Sequence, residues 1–304
     1  MLSINTSSAS MSAVNAINKS MSSLSTSMER LATGNRINTS ADDAAGKQIA
    51  NRLTAQSSGM GVALSNIDDA TAMLQTADST FDEMTDVLGR MSDLATQAAN
   101  GTYNDDDLQA MQDEYDELGQ QMSDMLQNTT YGGTNLFGTA DNSNTGVSGL
   151  FQGSVTFQVG AESSDTMTVD ISSQLGKLVG DLDKVSHSFT ADQADTTGKA
   201  GVSGGTELTA SGSANKMIDT ISTAMDDVSK IQSKLGASIN RLNDTASNLT
   251  SMQDNTEVAI GNIMDTDYAT EASNMTKQQV LSQTGITMLK QANSMSSMVS
   301  SLLQ

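Results

Sequence analysis

Apolar residues recur at alternating steps of three and four along much of this chain. Near its start the series is Val14, Ile17, Met21, Leu24, Met28 and Leu31. Near its end it is Leu281, Gly285, Met288, Ala292, Met295, Val299 and Leu302. A 3-4 alternation is the heptad pattern, which lays along an α-helix an apolar seam that another helix can cover. Charges are scarce in both stretches: Lys19, Glu29, Arg30 and Arg36 in the first, Glu271, Lys277 and Lys290 in the second. The two ends are therefore expected to form helices that cover one another, although termini ordinarily dangle in solvent.

The seam continues inward. Met60, Ile67, Leu74, Phe81 and Leu88 mark one register, and Ala63, Ala70, Ala77, Met84 and Met91 mark its companion. Tyr103 to Asp107 interrupt it. Asn104 is placed to cap a new helix, and Asp105, Asp106 and Asp107 suit the positive end of its first turn. That helix continues on Leu108, Met111, Tyr115, Leu118, Met122 and Met125. Heptads resume at Ala214 with Ile221, Val228, Leu235, Leu242 and Leu249, flanked by Ile218, Met225, Ile239 and Ala246.

Between these helical stretches the period changes to two. Val155, Phe157 and Val159 alternate, as do Met167, Val169 and Ile171, across a turn-forming segment from Gly160 to Asp165. That pattern predicts a β-hairpin. Residues 177–213 are rich in Ser, Thr, Gly and Asp with weak apolar patterning and read as a mostly irregular surface insert. The expected fold is mainly α: an elongated, folded-back helical coiled-coil rod with a small β-hairpin region at its far end.

Composition sharpens this picture. The 304 residues include no Pro, Cys or Trp, and aromatics make up 3%. Nothing then interrupts long helices, and thin packing on Met, Leu, Ile and Ala fits better than a broad globular core. Disulfides and thiolate metal sites are excluded. A net charge of -21 opposes nucleic-acid binding, which needs clustered Lys and Arg. No apolar run is long enough for a membrane span. The start, Met1-Leu2-Ser3-Ile4-Asn5-Thr6, has neither a basic nor an apolar signal-peptide region, so the protein is expected either in the cytosol or exported without a cleaved signal.

Candidate chemistry is thin. His187 is the single histidine and stands in the weakly patterned insert between Ser186 and Ser188, so it reads as a surface residue. The aspartate run lacks the glycine and closing glutamate of a calcium loop and reads as helix-start charge. No catalytic, cofactor or metal site is expected, and an enzyme built on a helical rod is only a distant alternative. The seam methionines read first as packing residues, and secondarily as flexible contacts that let neighbouring copies shift between related packings.

Several ordered motifs resemble bacterial flagellin. At the N-terminal end they are Glu29-Arg30-Leu31-Ala32-Thr33-Gly34-Asn35-Arg36-Ile37-Asn38, Ala41-Asp42-Asp43-Ala44-Ala45-Gly46 and Ile49-Ala50-Asn51-Arg52. At the C-terminal end they are Asp267 to Met275, Leu289 with Gln291-Ala292-Asn293, and Leu302-Leu303. The resemblance spans roughly residues 1–175 and 214–304. It implies an inner D0 layer of paired terminal helices (1–44 and 264–304), a D1 helical rod with hairpin (45–176 and 214–263) and a short variable insert (177–213). Asn35 to Ala45 and Asp265 to Asp267 would connect the layers. It further implies a subunit that polymerises with itself into the extracellular flagellar filament and leaves through the flagellar type III channel. Its other partners would be the filament cap, hook–filament junction proteins and an export chaperone. A hook–filament junction protein is the nearer alternative. The seam residues Val14, Ile17, Met21, Leu24, Met28, Leu31, Leu281, Met288, Ala292, Met295, Val299 and Leu302 would carry assembly.

The segment from Leu88 to Gln97 is similar to the flagellin stretch read by Toll-like receptor 5, a vertebrate innate-immune receptor. Arg90, Leu94 and Glu114 match positions implied in that contact. Ser92 and Gly89 depart from the family pattern, which commonly has arginine and glutamine there. O-linked sugars occur in the family, but nothing singles out a residue here.

Overall fold

A computed structural model describes residues 8–138, 149–189, 205–210 and 212–302, with the side chains of 9 and 296–302 outside that description. The chain divides into two compact units, Met1–Ser58 with Met252–Gln304, and Gly59–Ser251. Helices α1 (Ser8–Thr33), α2 (Ala44–Ala98), α3 (Asp105–Asn128), α4 (Ser172–Val185), α5 (Ser213–Met264) and α6 (Tyr268–Leu302) dominate the described residues. The long α2 and α5 contribute to both units.

The central unit, Gly59–Ser251, is organised by the heptads. All ten α2 positions from Met60 to Met91 in the two predicted registers are buried. In α5 the register Ala214, Ile221, Val228, Leu235, Leu242 and Leu249 is buried too, and Ile218, Met225, Ile239 and Ala246 pack partly buried beside it. Tyr115, Met122 and Leu126 of α3 join the same apolar cluster. Burial of each large side chain contributes about 1.5–3 kcal/mol, so this seam dominates the stability of the unit.

Helix α3 starts where the sequence places it. Asn104 Oδ1 accepts from Asp107 N at 2.8 Å, and Asp107 Oδ2 accepts in return from Asn104 N at 3.4 Å. This reciprocal capping box satisfies donors that a helix start leaves orphaned. Tyr115 is fully buried and donates to Val185 O at 2.8 Å. Burial, with Glu207 and Asp116 nearby, pushes its phenol well above the ordinary value.

The predicted hairpin is present. Strands β3 (Val155–Gln158) and β4 (Thr166–Val169) pair antiparallel, with Phe157 opposite Met167. A second, two-residue hairpin links β1 (Thr130–Tyr131) and β2 (Thr134–Asn135) through Gly132 and Gly133. Both glycines have positive φ, 58° and 81°, a conformation that side chains with a Cβ resist. Phe137 follows, edge-on to Phe81 at 5.0 Å between ring centroids.

One expectation needs correction. The stretch read as an irregular insert begins inside α4, whose Leu175, Leu178, Leu182 and Val185 are buried. Phe189 and Leu208 are buried as well. Among the described residues this stretch therefore contributes to the core as well as to the surface. Gln112, wholly buried on α3, holds its far end: Gln112 Nε2 donates to Glu207 Oε2 and Gln112 Oε1 accepts from Leu208 N, both at 2.8 Å. Residues 190–204 and 211 of the predicted insert lie outside the described residues.

Candidate assembly surface

The terminal unit is built on α1 and α6, which make the most extensive close backbone contact between any two helices among the described residues. Small residues permit that closeness. A Cβ built on Gly285 would come within 2.7 Å of Ile17 Cγ1, so only glycine fits there without displacement. Ser27 is buried, and Ser10 Oγ donates across the pair to Asn293 Oδ1 at 3.2 Å.

The two rows of the predicted seam have different fates. Ile17, Leu24 and Leu31 on α1, with Gly285 and Ala292 on α6, are half-buried. Val14, Met21 and Met28, one heptad apart, are exposed, and so are Leu281, Met288 and Met295. The four methionines of these outer rows keep 50–63% of their surface accessible. Each helix thus spends one row on its partner and leaves the other uncovered. Val299 belongs to α6 and Leu302 ends it, but their side chains are outside the described set.

Where α1 ends, the two limbs are stitched together. Gly34 turns the chain with φ 75°, and Asn35 bridges antiparallel to Asp265. Arg36 N donates to Met264 O at 2.6 Å, and its Nη2 donates to Ile263 O at 2.7 Å. Thr266 N donates to Gly34 O at 2.9 Å. A guanidinium on a carbonyl of the last turn of α5 suits the negative end of a helix. Arg30 adds two long ion pairs, 3.7 Å to Asp42 and 3.9 Å to Glu271.

Carboxylates fix the turn before α2 and the starts of α2 and α6. Asp42 Oδ2 accepts from Thr39 N at 2.9 Å, Thr39 Oγ1 at 3.0 Å and Asn38 N at 3.2 Å. The backbone and hydroxyl bonds from Thr39 hold its carboxyl below the usual aspartate value. Asp267 accepts from Thr270 Oγ1 at 2.7 Å and from Ala269 N at 2.9 Å, and the Thr270 bonds depress it likewise. Asp43 Oδ1 accepts from Gly46 N at 2.9 Å at the start of α2. Sequence reading named these aspartates only as motif members. An acidic residue immediately before a helical run was the signal that identifies Asp43, ahead of Ala44, and Asp267, ahead of Tyr268, as caps, whereas Asp42 ties the preceding turn.

The remaining candidates lie in the central unit. Arg90 and Glu114 are exposed and paired: Arg90 Nη2 and Nε lie 2.6 Å and 2.7 Å from Glu114 Oε1. Leu94 is buried. His187 is exposed, and its main-chain N donates to Glu207 Oε1 at 2.6 Å. Among the described residues no acidic or histidine cluster has a metal-holding arrangement, and no helix is long and apolar enough to cross a membrane.

Comparison with known proteins agrees with this geometry. The profile of the bacterial flagellin N-terminal helical region matches residues 4–142, and that of the bacterial flagellin C-terminal helical region matches residues 218–303. Flagellin A of Vibrio anguillarum is 31% identical over an alignment of 388 residues covering 100% of both chains. The flagellin of Listeria innocua is 30% identical over 301 residues and 99% of each chain. A putative flagellar hook-associated protein from Vibrio parahaemolyticus shares the fold, with TM-score 0.52 and 16% identity over 74% of this chain and 100% of that one.

Proposed function

The chain belongs to the bacterial flagellin family, and we propose that the uncovered outer rows of its terminal helices are the surface on which copies join. It is a structural protein, the self-polymerising subunit of the bacterial flagellar filament, and not an enzyme. The observation that carries the assembly reading is the split seam: Met21, Met28, Met288 and Met295 stand in solvent at heptad spacing. A heptad row that no helix among the described residues covers is available to a different surface of a neighbouring copy, the head-to-tail contact from which a filament grows. Taking one such side chain fully out of water contributes about 1.5–3 kcal/mol, and repetition over several neighbours offsets the entropy lost on docking.

The finer partition follows the same reading. Residues 1–44 and 264–304 form the inner D0 layer, and 45–176 with 214–263 form D1. Asn35 to Ala45 and Asp265 to Asp267 join the layers. Export proceeds through the flagellar type III channel, with the chaperone, cap and junction proteins as further partners. Exposure of the Arg90–Glu114 pair supports a patch that Toll-like receptor 5 reads, with buried Leu94 holding that patch in place rather than touching the receptor.

Seeded elongation tests the assembly reading. Met21→Glu and Met288→Glu are expected to abolish fibre growth by electron microscopy while leaving the helical circular-dichroism signal intact. Growth at the parent rate would overturn it, as would fibres from a chain lacking its first thirty or so residues.

A further inference from the structure

Twenty methionines are spread along the chain, but their exposure is not. Six among the described residues are exposed: Met11, Met21, Met28, Met252, Met288 and Met295. All six fall in the terminal unit, Met1–Ser58 with Met252–Gln304. None of the methionines of the central unit is exposed, and those of its core, such as Met60, Met84 and Met91, retain 1% or less of their surface. Valine or leucine would supply the same apolar area at an exposed heptad position without an oxidisable sulfur, as Val14 and Leu281 do in the same rows.

We propose that Met21, Met28, Met288 and Met295 are a modification site through which peroxide-class oxidants withdraw unassembled subunits from polymerisation. The chemistry is self-contained. The thioether sulfur attacks one peroxide oxygen, the O–O bond breaks and an S–O bond forms. One thioether and one hydrogen peroxide give one sulfoxide and one water, the sulfur losing two electrons that reduce the peroxide. A flexible apolar side chain becomes polar and chiral. The change requires only access, and access is what separates these four sulfurs from the core ones. Four sulfoxides on the outer rows would place strong acceptors against apolar neighbours with no donors to meet them, which an interface core tolerates poorly.

This inference rests on the assembly reading above. Under that reading a copy already in the filament shields the same sulfurs, so the device acts on free subunits and spares built polymer. Sulfoxide reduction by the two stereospecific methionine sulfoxide reductases would return subunits to the assembling pool.

The experiment uses full-length free subunit treated with graded hydrogen peroxide, then peptide mass mapping and seeded elongation on the same samples. The expected result is early sulfoxide at the six exposed methionines, with Met60, Met84 and Met91 spared. Elongation should fall in step with conversion of the four outer-row residues, and treatment with both reductases should restore it. A variant with all four replaced by leucine is compared with its own untreated sample, and peroxide should not lower its growth below that rate. Should that variant fail to grow before oxidation, reductase rescue of the parent chain decides the matter alone. Undiminished growth of parent chain carrying the four sulfoxides would overturn the proposal, as would loss of growth that the reductases do not reverse. Met21→Glu and Met288→Glu distinguish the two failures: if they grow normally the assembly reading itself is wrong, and if they block growth while sulfoxides do not, only the oxidation proposal falls.

Discussion

Gly285 sits directly against Ile17, with space for a hydrogen but not for a methyl group between the two helices: an added Cβ would stand 2.7 Å from Ile17 Cγ1. Alanine ordinarily strengthens a helix interior over glycine by about 1 kcal/mol. Here overpacking against a stiff β-branched side chain costs about 1–3 kcal/mol and prevails. Gly285→Ala is expected to weaken the α1–α6 pair, and Ile17→Ala in the same chain to recover part of the loss. A double-mutant cycle on the helical signal of the terminal unit measures this coupling; strict additivity would refute it.

Acid should loosen the junction. Asp42 and Asp267 are both held below the ordinary aspartate value of 3.8 by hydrogen bonds made only in the folded chain. A depressed carboxyl contributes its stability above the unfolded pKa and loses it as pH falls through the folded one. The junction is therefore expected to be insensitive to these groups at neutral pH and to weaken below 3.8. Asp42→Asn and Asp267→Asn keep an acceptor in place but cannot titrate. An acid titration of helical content should be flatter in the double variant than in the parent.

Helix α4 carries real packing energy. Leu178 is wholly buried, and α4 lies on the 3-10 turn Leu150–Gln152. Leu178→Ala should cost about 2–5 kcal/mol in denaturant unfolding of the central unit, as expected for a truncated core leucine. A surface insert would show almost no change.

The Arg90–Glu114 pair should matter little to stability, because both side chains are about half exposed and such pairs contribute about 0–1 kcal/mol. Arg90→Ala is expected to leave the melting temperature close to the parent value. If the patch serves receptor recognition, the same variant as soluble monomer loses receptor activation in a reporter-cell assay. Full activation would end that reading.

Much of this fold was legible because long heptads leave little freedom. Phe81, with Ala77 and Met84 beside it on the helix face, or Leu235, with Ile231 and Ile239, could hardly face solvent. The Asn104 cap was legible for a local reason, since its bonds need only residues three positions away. Helix α4 was not. Its apolar positions Leu175, Leu178, Leu182 and Val185 do follow the helical period, but Gly176, Gly180 and the flanking serines carry the composition of a loop. Tertiary burial of four side chains overrode that weak local preference. The terminal seam was half legible. Its heptads read the same whichever helix covers them, so nothing in Met21 or Met288 told that α1 and α6 would meet along Ile17 and Gly285 instead.

The stitch between Gly34–Arg36 and Ile263–Thr266 joins stretches about 227 positions apart in the chain. It works as a clasp: a backbone cut anywhere in the middle would still leave the leading and trailing fragments fastened to one another. Proteolytic nicking of the central unit would then release no terminal peptide, and the severed protein would travel as one particle on a sizing column until denaturant opened the fastening.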